Sequence, residues 1–106
     1  MILYHLTRRA NITSILLHGL LLERCGQGGI GIKREWNPSR IFLTDDLIVP
    51  IRQLGSACYV GMWVGLEVDC EGLEVHPHMT TDHNIIIPHE FVVYTDISAC
   101  KIKTML

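Results

Sequence analysis

Two residues stand out because ionisable or hydrogen-bonding groups sit in apolar surroundings: His5, inside the short apolar run 1–6, and Glu90, which opens the apolar run 90–94. A carboxylate in such a place must be solvated, paired or used, since burying it alone is costly. A lone histidine in an apolar run is ordinarily structural, and a lone glutamate at a strand end is ordinarily a solvated edge residue. Residue type alone therefore assigns neither. A third constellation is His76, His78, His83 and His89, close together in sequence. His-x-His is a metal-pair spacing, but no acid or cysteine lies at a matching ligand interval, and Pro77 and the polar context suggest a loop. We therefore expect no metal site. The four cysteines (Cys25, Cys58, Cys70, Cys100) form no C-x-x-C pair, and nothing marks one of them as an activated nucleophile. Gly26, Gly28, Gly29 and Gly31 hint at a phosphate loop. No Gly-Lys-Ser/Thr follows, and no G-x-G-x-x-G fingerprint can be placed.

The totals restrict the setting for this chemistry. A chain of 106 residues suits one domain, residues 1–106, and its 48% hydrophobic content supplies a core. The net charge of -2 gives no basic field to hold a nucleic acid, so any grip on phosphates would be local. Charges follow the first apolar run, the reverse of a signal peptide, and no apolar stretch is long enough to span a bilayer. The expectation is a cytoplasmic protein with reduced thiols and no membrane partner. Cys58, Cys70 and Cys100 lie in strand-like apolar runs and are expected to behave as small core residues.

Elements must position these groups. Residues 1–6 read as a strand. Asn11 reads as a helix N-cap, Ile12, Ile15 and Leu16 follow at helical spacing, and Gly19 stops the helix. Residues 20–40 read as a long loop bordering the cleft, and residues 40–43 as a short strand. Thr44 and Asp45 can cap a second helix with Ile48, Ile51 and Leu54 as its buried stripe. Pro50 is tolerated in its first turn, and Gly55 ends it. Residues 59–69 alternate as a long strand, with Val60, Met62, Val64, Leu66 and Val68 facing one way and Glu67 toward solvent. Residues 73–75 read as a short strand, 76–83 as a polar loop, and 90–94 and 99–105 as two further strands. Two short helices in the first half and strands in the second predict an α+β domain with a largely antiparallel sheet.

Three segments, in this order, resemble the ADP-ribosyltransferase superfamily, specifically its poly- and mono-ADP-ribose polymerase branch. The first is Leu3-Tyr4-His5-Leu6-Thr7-Arg8 with Ile12, Ile15-Leu16 and Gly19-Leu20. The second is Arg40-Ile41-Phe42-Leu43-Thr44-Asp45. The third is His89-Glu90-Phe91-Val92-Val93-Tyr94. The resemblance runs from Leu3 to Met105. It implies a small ADP-ribosyltransferase-like fold with a mostly antiparallel split sheet. Leu6 stands where the family often has Gly, whose backbone holds the nicotinamide amide. Phe42 stands where Tyr is usual, so stacking survives and a hydroxyl is lost.

The resemblance implies NAD as co-substrate and Glu90 and His5 as catalytic residues. Cleavage of the nicotinamide–ribose bond passes through an oxocarbenium-like state, which a carboxylate beside the ribose stabilises. Glu90 would do this and orient or deprotonate the acceptor. His5 would hydrogen-bond the adenosine ribose, and Phe42 would stack on the nicotinamide. Leu6, Thr7, Arg8 and Thr44 would complete the dinucleotide site. The expected activity is NAD-dependent ADP-ribosyl transfer to a macromolecule, protein first and nucleic acid second. The related RNA 2′-phosphotransferases are an alternative, as is an inactive domain of the same fold that binds a nucleotide or a partner protein. A small stand-alone domain of this kind fits a phage effector or a toxin.

Overall fold

The computed structural model describes residues 1–25, 40–54, 62–79 and 85–105. In chain order the elements are β1 (Ile2–Arg8), α1 (Ile12–His18), α2 (Leu22–Cys25), β2 (Ile41–Thr44), α3 (Ile48–Leu54), β3 (Trp63–Asp69), β4 (His76–Met79), β5 (Ile86–Val93) and β6 (Ile102–Thr104). The strands form one six-stranded sheet in the order β4-β5-β2-β1-β3-β6, with every neighbouring pair antiparallel. The protein is thus α+β with an antiparallel sheet and three short helices among the described residues. None of these helices is long and apolar enough to cross a membrane.

Alternation along the strands gives the sheet two distinct faces. Register puts Leu3 opposite Val68, Val68 opposite Ile102, and Ile41 opposite Val93. These residues, with Leu43, Leu66, Leu20 and Ile97, form the buried core, and Ile15 of α1 packs against it. The other face carries Tyr4, Thr44 and Glu90 in one cross-strand row, and Phe42 and Val92 in the next. Val92 is buried but stands outside the main core cluster, as its position on that second face requires.

The helices depart from their expected ends in instructive ways. Asn11 precedes α1 in a helical conformation and makes no side-chain cap, because a 3-10 turn at Arg9–Asn11 already feeds the chain into the helix. Gly19 does end α1, with φ +84 and its N–H bonded to the Ile15 carbonyl at 2.7 Å. The cap of α3 is Asp46 rather than Thr44 or Asp45: Asp46 Oδ1 accepts the Ile48 N–H at 3.0 Å. Two members of the stripe expected on α3, Ile48 and Ile51, are not buried. Ile48 is 54% exposed and Ile51 40%, and Leu47, one residue earlier, does the packing. Leu47 sits over Gly65, where any Cβ would come within 2.5 Å of its Cδ1.

Four loop and strand expectations are corrected. Leu20 is not in a loop: it is 1% exposed and exchanges both backbone hydrogen bonds with Ile97 at 2.9 Å, after which α2 begins. Residues 73–75 are not a strand. A turn at Glu71 and Gly72 leads through Leu73 and Val75, which pack on the core, and pairing starts at His76. The supposed loop from His76 is therefore strand β4 as far as Met79. It forms an edge, where Pro77 costs no ladder bond. Ala99–Lys101 is a 3-10 turn, so the last strand is only Ile102–Thr104. Cys70 is buried, but Cys100 is exposed, its Sγ 3.3 Å from Ser98 Oγ. The glycine loop 26–31 and the rest of the expected loop to residue 39, the Gly55 stop, the start of the long strand at 59–61, Cys58 and His83 lie outside the described residues.

Candidate functional site

The site begins where the β1–β2 ladder stops. β1 and β3 pair along seven residues, but β1 and β2 pair at only one position, Tyr4 opposite Thr44. The Cys70 N–H bonds to the Met1 carbonyl and the Arg9 N–H to the Met62 carbonyl, which fixes the phase of the β1–β3 ladder. Leu3, His5 and Thr7 then direct their backbone groups to β3, and Tyr4 and Leu6 direct theirs to β2. In a continued ladder Leu6 would exchange hydrogen bonds with Phe42. Instead His5 Nδ1 donates to the Phe42 carbonyl oxygen at 2.8 Å. An imidazole has replaced a backbone donor, and the Leu6 N–H and C=O are left facing the opening with no ladder partner on β2.

That hydrogen bond also fixes the state of His5. Burial pushes its pKa below the ordinary value, and the bond to the Phe42 carbonyl opposes this only in part. The ring is neutral at pH 7 and carries its proton on Nδ1. Nε2 is left as an acceptor. Nε2 makes no hydrogen bond to the described residues.

Glu90 lies in the row of Thr44 and Tyr4, on β5. Its Oε2 accepts a hydrogen bond from His78 Nδ1 at 2.7 Å, with the two side chains 24% and 17% exposed. The His78 ring meets the Phe42 ring edge-on, centroids 5.1 Å apart at 71°, and the Arg40 guanidinium lies 5.0 Å from the Phe42 centroid. A chain of contacts thus runs from His5 through Phe42 and His78 to Glu90. No hydrogen bond joins His5 to Glu90 directly, and strict alternation assigns His5 to the core face of β1 and Glu90 to the opposite face of β5. The expectation that the His5 and Glu90 side chains line one cleft from the same face of the sheet is thus corrected: alternation from the β1–β3 and β2–β5 registers puts them on opposite faces, and only the His5 ring, bonded to the Phe42 carbonyl, reaches toward β2.

The backbone just before Glu90 is irregular. His89 has φ +66, and the β4–β5 register shifts between Pro77 and Met79, so β5 carries extra residues there. His89 Nδ1 donates to Asp45 Oδ1 at 2.7 Å, which holds this left-handed residue in place. Asp45 is therefore committed to His89 and not to α3.

The remaining expected site residues are placed as follows. Thr44 is 5% exposed and its hydroxyl is engaged locally, donating to the Asp46 carbonyl at 2.9 Å and accepting the Asp46 N–H at 3.1 Å. Thr7 is buried on the core face of β1. Arg8 lies over the Trp63 ring at 5.6 Å, two residues past the opening. One face of Phe42 is already approached by Arg40, so a stacked ligand would share or displace that cation. His76 pairs with Glu74 at 3.3 Å, His78 with Glu90 and His89 with Asp45, and among the described residues no three potential ligands converge on a metal position. Burial pushes the Cys70 thiol pKa up, which leaves it an unreactive core residue.

Sequence reasoning missed His78 as a partner of Glu90. The signal was present: His76 and His78 are two apart, the period of a strand, so both project to one face once Pro77 is placed on an edge. Neither a protein-family model nor a curated protein matches this sequence.

Proposed function

We propose that this chain is an NAD-dependent ADP-ribosyltransferase with an ADP-ribosyltransferase-like fold, acting in the cytoplasm on a macromolecular acceptor, protein before nucleic acid. The observation that carries the reading is the opening between β1 and β2. It presents the Leu6 N–H and C=O, which have no ladder partner on β2, the His5 Nε2, which makes no hydrogen bond to the described residues, and the ring of Phe42, and the Glu90 carboxylate stands one row away. An N–H and a C=O side by side are the complement of a primary carboxamide, the polar handle of nicotinamide. A neutral imidazole with a free acceptor suits a ribose hydroxyl donor.

In this mechanism the bond between the anomeric carbon and the pyridinium nitrogen breaks, and nicotinamide leaves as a neutral molecule with the electron pair. The Glu90 carboxylate stabilises the positive charge that develops on the ribose. The acceptor atom bonds to the anomeric carbon, and its proton passes to Glu90. Two tests apply: NAD should raise the melting temperature of the purified protein, and incubation with NAD and cell lysate should release nicotinamide. Absence of both would sink the reading.

Arg40 favours a second reading. Its guanidinium beside Phe42 places a cation at the site, as an RNA 2′-phosphotransferase would need for a phosphate. Removal of the phosphate from a 2′-phosphorylated RNA in the presence of NAD would select that activity over protein modification.

A further inference from the structure

We propose that His78 is a positioning residue for Glu90, a role resting on the transferase reading above. Glutamate has three rotatable side-chain bonds, and a solvated carboxylate on a strand samples several rotamers. Glu90 is held instead. His78 follows Pro77, which pairs with Phe91 next to Glu90, and donates Nδ1–H to Glu90 Oε2 at 2.7 Å, the length of a charge-assisted bond. The donor is itself fixed, because the imidazole rests edge-on against Phe42, the ring on which the nicotinamide would stack.

One contact network thus ties the position of the carboxylate to the aromatic that receives the leaving group. The chemical consequence follows from the direction of the hydrogen bond. Nδ1 donates to Oε2 whether the imidazole is neutral or cationic, so Glu90 is kept as an acceptor. One oxygen is occupied, and Oε1, which makes no hydrogen bond to the described residues, is the one that faces the ribose cation and takes the acceptor's proton. His78 contributes no proton and touches no substrate atom.

A simple cross-strand pair that staples β4 to β5 would show the same distance, so the test must separate placement from stability. His78→Ala removes the donor. His78→Asn keeps an N–H donor close to the position of Nδ1. Initial rates of nicotinamide release are measured against NAD concentration on protein shown to be folded by its melting curve. In His78→Ala, kcat should fall about tenfold or more with KM within about twofold, the pattern of an interaction needed in the transition state. In His78→Asn most of that kcat should return.

An independent readout needs no NAD: nitrogen-15 NMR at a pH well above the imidazole range should find His78 protonated on Nδ1 in the wild type and redistributed toward Nε2 in Glu90→Ala. A wild type that releases nicotinamide beside a His78→Ala with unchanged kcat would overturn the positioning role alone. Failure of Asn to restore kcat, or a His78 tautomer indifferent to Glu90, would also overturn it. A wild type that releases no nicotinamide would overturn the transferase reading and this role together.

Discussion

The His5 imidazole donates to the Phe42 carbonyl oxygen at 2.8 Å, in the place where the ladder between β1 and β2 would have put the Leu6 N–H. One side chain therefore both ends the pairing of two central strands and satisfies the group it leaves orphaned. Because burial lowers the His5 pKa below its unfolded value of 6.5, the unfolded chain binds more protons between the two values. Stability from this group is full above pH 6.5 and declines as pH falls toward the folded pKa. His5→Asn keeps a donor near the Phe42 carbonyl but has nothing to titrate. The stability advantage of wild type over His5→Asn, measured by urea unfolding across a pH series, should shrink on acidification, at no more than about 1.4 kcal/mol per pH unit. A difference that is flat from neutral pH downward would show that the ring is not buried in its neutral form.

Gly19 is a second point where backbone geometry admits one residue type. It has φ +84, and an added Cβ would run into the Ile97 carbonyl, part of the bridge that seats Leu20 in the core. Neither backbone can yield cheaply. Gly19→Ala should cost at least about 3 kcal/mol, from the conformation and the clash combined. Gly65→Ala meets the flexible end of Leu47 and the sulfur of Met105 instead, so it should cost less. Thermal melts of the two variants give the order directly.

These glycines illustrate what the sequence made legible. Gly19 announced the end of α1 through its type and its place after Ile15 and Leu16, and alternation announced Leu66 and Val68 as core. Periodicity worked where one face of an element is buried. It failed on α3, because Ile48 and Ile51 recur at helical spacing without a surface to cover them. It failed also at β4, whose strand character comes from pairing with β5 and not from its own propensity. The residues His5, Phe42 and Glu90 were visible one by one. Their linkage through His78 was not, because contact across strands depends on register, which no local pattern encodes.

The irregular backbone before Glu90 yields another prediction. His89 holds φ +66 and bonds to Asp45, with both side chains about half exposed. The exposed pair is worth at most about 1 kcal/mol, and a non-glycine residue in the left-handed region costs about 1 to 2 kcal/mol. His89→Gly loses the pair and relieves the conformation, so its stability should stay within about 1 kcal/mol of wild type. His89→Ala loses the pair and keeps the conformational cost, so it should be the less stable variant. Equal melting temperatures for the two would mean that the left-handed conformation at this position does not persist in solution.

The central claim is that Glu90 acts on charge that exists only as the nicotinamide bond breaks, and the direct measurement is NAD affinity and nicotinamide release in Glu90→Gln. Glutamine preserves the shape and an acceptor oxygen but not the charge. Affinity by calorimetry should stay close to wild type, while release should fall on the order of a hundredfold or more, as when other electrostatic stabilisers are removed. His5→Ala, which removes a contact made before the reaction, should weaken binding itself. Release by Glu90→Gln at the wild-type rate would contradict the account.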